Sequence, residues 1–152
     1  MLRDTPPNLE HESELFKQGF DYVVGMDEVG RGCLAGPVVV GATILPKEFK
    51  GFVCDVPIND SKKLTNNKRR RVNEAITDQA VTATGHATAS EIDTYGITWA
   101  THTAALRALE ELEGICAEST FVLTDNRLLS KELGFPFAYD SILKGDSSSI
   151  AI

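Results

Sequence analysis

The chain has 152 residues, a formal net charge of −7 and an isoelectric point near 4.9. Its 42% hydrophobic and 24% charged residues describe a globular protein of one domain, not a disordered or fibrous one. No run approaches the roughly 18 apolar residues of a membrane span, and three cysteines without CxxC or Cys/His spacing point to a reduced, cytoplasmic setting.

Residues 1–20 carry acids and prolines where a signal peptide would be basic and then apolar, so they read as a lead-in to a domain over 21–152. Tyr22 to Met26 is a short apolar strand that ends at Asp27, and Gly30, Gly32 and Gly36-Pro37 punctuate a loop. Val38 to Leu45 is rich in β-branched residues, as expected of a strand covered on both faces. After a polar loop over Asn59 to Thr65, Thr65 or Asn66 caps a helix from about Asn67 to Thr77. Val81, Ala83, Gly85 and Ala87 alternate with Thr82, Thr84, His86 and Thr88, which predicts a strand with one wet face. Ser90 and Asp93 resemble a capping box opening a helical turn that Gly96 ends. A longer helix follows from Ile97 to Glu113, with Ile97, Ala104, Ala105, Ala108, Leu109 and Leu112 as its apolar stripe. Strands over Phe121–Thr124 and Phe137–Leu143 complete the chain, ending at Asp125 and at Lys144-Gly145-Asp146. The order of elements predicts an α/β layered domain with a mixed central sheet flanked by helices.

Acidity does not exclude a nucleic-acid partner, because six of the fifteen bases lie between Lys62 and Arg71. Lys68, Arg69, Arg70 and Arg71 read either as a solvated helix face or as an outer contact to a duplex. The chemistry is carried by carboxylates: Asp27, Asp125 and Asp146 each follow an apolar strand, and Glu28 adjoins the first. Ligands of open α/β sheets gather at such strand ends. Converging carboxylates repel one another unless a cation compensates, and Mg²⁺ or a similar hard ion suits the place. Adjacent strand residues face opposite ways, so Asp27 and Glu28 share a site only if the strand twists or ends there. Aspartates also end strands as plain turn residues, and a phosphatase or nucleotide-binding domain would use the same placement as a metal nuclease. His11, His86 and His102 read as structural or solvated, Cys33 has no nucleophilic partner nearby in sequence, and Tyr95 and Trp99 read as core or helix-junction residues.

The segment GMDEVGRGCLAGP from Gly25 to Pro37 closely resembles the opening motif of bacterial ribonuclease HII. Asp60-Ser61-Lys62-Lys63-Leu64 resembles that family's second motif, and Phe121 to Asp125 and Lys144 to Asp146 fall where its third and fourth lie. The resemblance implies a ribonuclease H-like fold and endonucleolytic cleavage of RNA in RNA–DNA hybrids, including single ribonucleotides embedded in duplex DNA. It implies Asp27, Glu28, Asp125 and Asp146 as catalytic ligands of Mg²⁺ or Mn²⁺. Water would attack the phosphate in line and leave 3′-hydroxyl and 5′-phosphate ends. Gly30, Arg31 and Gly32 would sense the ribose 2′-OH, the group that separates RNA from DNA. Ser61, Lys62 and Lys63 would touch the strand backbone near the cut, and the enzyme would act as a cytoplasmic monomer.

Two departures from the family pattern stand out. Asn126 and Arg127 follow Asp125 where a small residue is common. The chain also stops at Ile152, where the family continues into further helices that carry a stacking tyrosine, so the C-terminal helical part is expected to be missing. A catalytically weak fragment that binds hybrid duplex or a partner without turnover is therefore the alternative. A related nuclease acting on DNA is a third reading, which the Gly-Arg-Gly segment disfavours.

Overall fold

Five strands and four α-helices appear in a computed structural model that describes residues 6–125 and 128–152. Strand β1 (Tyr22–Val29) lies at the centre of a sheet ordered β3-β2-β1-β4-β5. On one side it pairs antiparallel with β2 (Val38–Pro46), which pairs antiparallel with β3 (Val81–Ala87). On the other it pairs parallel with β4 (Thr120–Asp125), which pairs parallel with β5 (Ala138–Ile142). The mixed sheet is thus a meander on one side and a crossover on the other.

Alternation along the strands builds two cores. Val24 and Met26 of β1, with Val38, Val40, Ala42 and Ile44 of β2, face helix α4 (Ile97–Glu110). Val23, Leu45 and Leu123 face the opposite layer, where helix α1 (Glu10–Lys17) contributes Leu15 and the chain end contributes Ala151. β2 is not covered evenly: Val38, Val40, Ala42 and Ile44 are buried, whereas Gly41 is exposed and Val39 and Thr43 are half-buried. That departs from the two-sided burial expected, because the second face of β2 opens toward a cleft instead of a helix. β3 keeps the wet face anticipated, with Thr82, Thr84 and His86 exposed.

The small-residue stripe Ala100, Ala104, Ala105 and Ala108 lets α4 lie against β2 and β3 at short range. Helix α2 (Asn66–Gln79) begins at its Thr65 cap and buries Val72, and helix α3 (Ala89–Tyr95) ends on Gly96 at φ 84°. The expected capping box at Ser90 and Asp93 is formed instead by Thr88 and Glu91. The Glu91 amide donates to the Thr88 hydroxyl at 3.3 Å, and the Thr88 amide donates to the Glu91 carboxylate at 2.8 Å. The box moves upstream because β3 delivers extended backbone straight into Thr88, and because Arg107 of α4 holds Glu91 at 2.7 Å. That guanidinium, with the Thr88 bonds, keeps the Glu91 carboxyl pKa near 2. Thr88→Ala should cost about 1 kcal/mol, read as a lower denaturant midpoint at unchanged slope.

Three further boundaries differ from expectation. α4 stops at Glu110, short of Glu113, and the chain turns through Gly114 at φ 81°. The lead-in contains α1, whose acidic sequence conceals a face packed on the sheet. β1 runs through Asp27 and Glu28 to Val29 instead of ending before them, because antiparallel pairing with β2 continues to Val29.

Candidate functional site

The parallel ladder between β1 and β4 closes its last rung at Met26 and Thr124. One residue further on, where that ladder has ended, stand Asp27 and Asp125. β1 continues on β2 and β4 continues on β5, so the two aspartates sit at the mouth where the central strands part. The third carboxylate arrives from a 3₁₀ turn at Gly145–Ser147. The Gly145 amide of that turn donates to Asp125 Oδ1 at 2.9 Å, tying the two segments together. Asp146 accepts from the Ser147 hydroxyl at 3.3 Å, and Lys62 Nζ approaches its Oδ2 at 3.9 Å.

The charges at this end of the sheet act on Asp27. Asp27 is half-buried, and its carboxyl pKa is raised to about 6. Burial is the largest cause, and the charges of Glu28, Asp125 and Asp146 add to it against the Glu28 amide, which donates to Asp27 Oδ1 at 2.8 Å. Glu28 Oε2 is buried without a hydrogen-bond partner. Strand alternation turns Glu28 toward the face of Met26, while Asp27 lines the cleft. β1 does not end at Asp27, so Glu28 can share a ligand sphere with it only through the twist of the strand.

The cleft, of about 330 Å³, is lined by Asp27 and Asp146 together with Asp60, Ser61 and Arg69. Ser61–Lys63 form a 3₁₀ turn capped by Asp60, whose carboxylate accepts from the Lys62 amide at 2.9 Å. Ser61, Lys62 and Lys63 are all exposed there. Gly30 and Arg31 line a separate groove between the glycine-rich loop and α3, together with Cys33, Ile92 and Asp93. Gly30 is at φ 101°, and a Cβ there would lie 2.5 Å from the Pro37 carbonyl oxygen, so the loop requires glycine. Gly32 is exposed with open space around it.

The basic run divides. Arg69 donates to the Ser61 and Leu64 carbonyls at 2.9 and 3.0 Å and also bonds Asn66, so it brackets the capped turn. Arg71 pairs with Asp55, and Lys68 and Arg70 are exposed. A bracketing role was invisible in the sequence, since a basic helix face reads the same whichever way one guanidinium bends. Arg69→Ala should raise amide exchange at Lys63 and Leu64 about thirtyfold, for two charge-assisted bonds of about 1 kcal/mol each, with little change in global melting.

Other expectations resolve simply. His11, His86 and Cys33 are exposed, whereas His102 is buried and accepts the Ser130 amide at 3.3 Å. Burial pushes the His102 imidazole pKa down. Tyr95 and Trp99 stack at 4.4 Å across the junction of α3 and α4. The altered turn at Asn126 and Arg127 lies outside the described residues.

The donor set suits a hard divalent cation: carboxylate oxygens only, one of them buried and unpartnered, beside an Asp27 whose ionisation the site opposes. Among the described residues, no three His, Cys, Asp or Glu side chains are yet gathered closely enough to hold an ion. No helix among them is long and apolar enough to cross a membrane.

A family model described as Ribonuclease HII matches residues 24–133. Ribonuclease HII of Thermotoga maritima is 44% identical over 136 residues, covering 90% of this chain and 52% of its own length. The chain thus spans about half the length of the curated relatives it matches. The crystal structure of ribonuclease H2 from Pyrococcus horikoshii aligns with a TM-score of 0.61 at 21% identity, over 83% of this chain and 64% of that one. Bst-RNase HIII in complex with Mn²⁺ aligns with a TM-score of 0.58 at 18% identity, over 90% and 50%. These likenesses establish a ribonuclease H-like fold.

Proposed function

The chain belongs to the ribonuclease HII family, and on that footing we propose that it carries the carboxylate centre of a divalent-metal endoribonuclease. Its substrates are the RNA strand of RNA–DNA hybrids and single ribonucleotides embedded in duplex DNA, cut to 3′-hydroxyl and 5′-phosphate ends. What supports the reading is that Asp27, Asp125 and Asp146, from three distant parts of the chain, stand at one end of the sheet where β1 and β4 part. A Mn²⁺-bound relative of the same fold supports the choice of Mg²⁺ or Mn²⁺ as the ion.

Asp27, Glu28, Asp125 and Asp146 are the residues that would hold metal. When bound there, two ions would neutralise the carboxylates, supply a nucleophilic water acidified at neutral pH and stabilise the leaving oxygen. The chain's own residues then orient the substrate. Lys62, near Asp146, and Lys63 on the same capped turn present cations to the strand phosphates, and Ser61 offers a hydroxyl. Gly30 holds the tight turn of the loop and Gly32 leaves open space for a ribose to approach its backbone, so that the loop with Arg31 reads the 2′-OH. The enzyme works as a monomer in the cytoplasm.

A second reading is a hybrid-binding segment without turnover, favoured by the ungathered state of the carboxylates. One assay separates the two: a duplex with a single ribonucleotide is incubated with the chain and Mg²⁺ or Mn²⁺, beside an all-DNA control. Cleavage only at the ribonucleotide is expected. Equal cutting of both duplexes would sink the ribonuclease reading, and binding without cutting would establish the second.

A further inference from the structure

Glu12 is the only carboxylate among the described residues that the fold buries completely, at 0% exposure. Its Oε1 accepts from the Ser149 hydroxyl at 2.5 Å and from the Ala151 amide at 2.9 Å, donors 137 and 139 residues further along the chain. Oε2 has no hydrogen-bond partner. Beside it, Asn8 and Ser149 form a single parallel bridge: the Asn8 amide donates to the Ser148 carbonyl at 3.1 Å, and the Ile150 amide donates to the Asn8 carbonyl at 3.0 Å. Burying a carboxylate costs free energy that an apolar side chain in the same place would not. Leu15, on the same helix, already supplies the apolar contact to the sheet. What Glu12 adds is a grip on two polar donors of the segment that follows Asp146.

That segment leads directly to the carboxylates. The Ser148 and Ser149 amides both donate to the Gly145 carbonyl at 2.9 Å, and the Gly145 amide donates to Asp125 Oδ1 at 2.9 Å. Asp146 hangs on the turn between these anchors. Lys144, which opens the turn, is the only non-glycine at positive φ among the described residues, at 58°. Such a conformation persists where its surroundings hold it. A hydrogen-bonded path therefore runs from Glu12 through Ser149 and Gly145 to Asp125.

We propose that Glu12 is a positioning residue for the carboxylate centre: by clamping Ser149–Ala151 it sets where Asp146 and Asp125 stand relative to Asp27. The inference rests on the metal-centre reading above and extends it to the N-terminal helix.

Mn²⁺ affinity, measured on the whole chain by titration calorimetry, tests it without recourse to turnover. Glu12→Gln keeps an acceptor oxygen for both donors and should bind within about threefold of the unaltered chain. Glu12→Leu fills the same space but releases both donors, and should bind at least about tenfold more weakly with an unchanged far-UV spectrum. A folded Glu12→Leu that binds Mn²⁺ as tightly as the unaltered chain overturns the proposal. Should Glu12→Leu fail to fold, Ser149→Ala decides: it removes one donor, with about threefold weaker binding expected and unchanged affinity overturning the role. Asp27→Asn separates this inference from its premise. If the unaltered chain does not bind Mn²⁺, or Asp27→Asn binds it equally well, the metal centre itself falls. If Asp27→Asn loses binding while Glu12→Leu retains it, only the positioning role of Glu12 falls.

Discussion

Asp27→Asn should sharply lower the proposed cleavage while making the metal-free chain more stable at pH 7. The two effects share one cause. The Asp27 carboxyl pKa is raised from 3.8 to about 6, chiefly by burial and then by Glu28, Asp125 and Asp146. Between about pH 4 and pH 6 the folded chain therefore holds a proton that the unfolded chain has released. Where the folded state binds more protons, stability falls as pH rises, and the loss is complete above pH 6. A shift of this size corresponds to at most about 3 kcal/mol, and to about 1–2 kcal/mol once the partial exposure of Asp27 is allowed for.

Asparagine removes that penalty, so its stabilising effect should be present at pH 7 and absent near pH 4. Activity should drop by about 10³-fold or more, the rate equivalent of the several kcal/mol that bound cations contribute. Thermal melts at pH 4 and 7, with and without Mn²⁺, check both halves. Mn²⁺ should raise the melting temperature of the unaltered chain more than that of the variant. A variant destabilised at pH 7, or one that still cuts at the original rate, would remove Asp27 from the centre.

Gly85→Ala is expected to destroy the fold, whereas Gly41→Ala on the neighbouring strand should be tolerated. Gly85 pairs with Val40 and sits under α4, where an added Cβ would lie 2.0 Å from the Ala104 carbonyl oxygen and 2.4 Å from the Ala108 amide nitrogen. Both atoms are backbone, so no side chain can yield; the helix itself must lift. Lifting it separates the alanine stripe from Val40 and Ala87 across the main core. Overpacking of this kind costs about 3 kcal/mol or more, a large share of the stability of any domain. A Cβ added at Gly41 would meet nothing within 4 Å, so Gly41→Ala should shift stability by less than about 1 kcal/mol. Chemical denaturation of both variants tests the contrast; a cooperative Gly85→Ala with a normal midpoint would mean that α4 does not press on β3.

Much of this was readable residue by residue. The alternation from Val81 to Ala87, the β-branched run from Val38, the Thr65 cap and the stop at Gly96 report local conformation, which neighbouring residues decide. The glycine-rich segment after β1 likewise announces a loop that only glycine permits, as Gly30 shows. The capping box stands two residues upstream of Ser90–Asp93 because both pairs satisfy the same spacing, and Arg107, far off in sequence, selects Thr88–Glu91.

What the sequence determined by itself was therefore the kinds of element, their order and which acids follow apolar strands, since those depend on short-range periodicity and backbone preference. Only the tertiary structure decided which acids meet. Asp125 and Asp146 come to the same end of the sheet as Asp27 because β4 pairs parallel to β1 and the Gly145 turn closes on Asp125, and strand pairing leaves no mark in local periodicity. Glu12 and Arg69 belong to the same class: an acid and a base on ordinary-looking helix faces, given their tasks by backbone groups that the fold brings beside them.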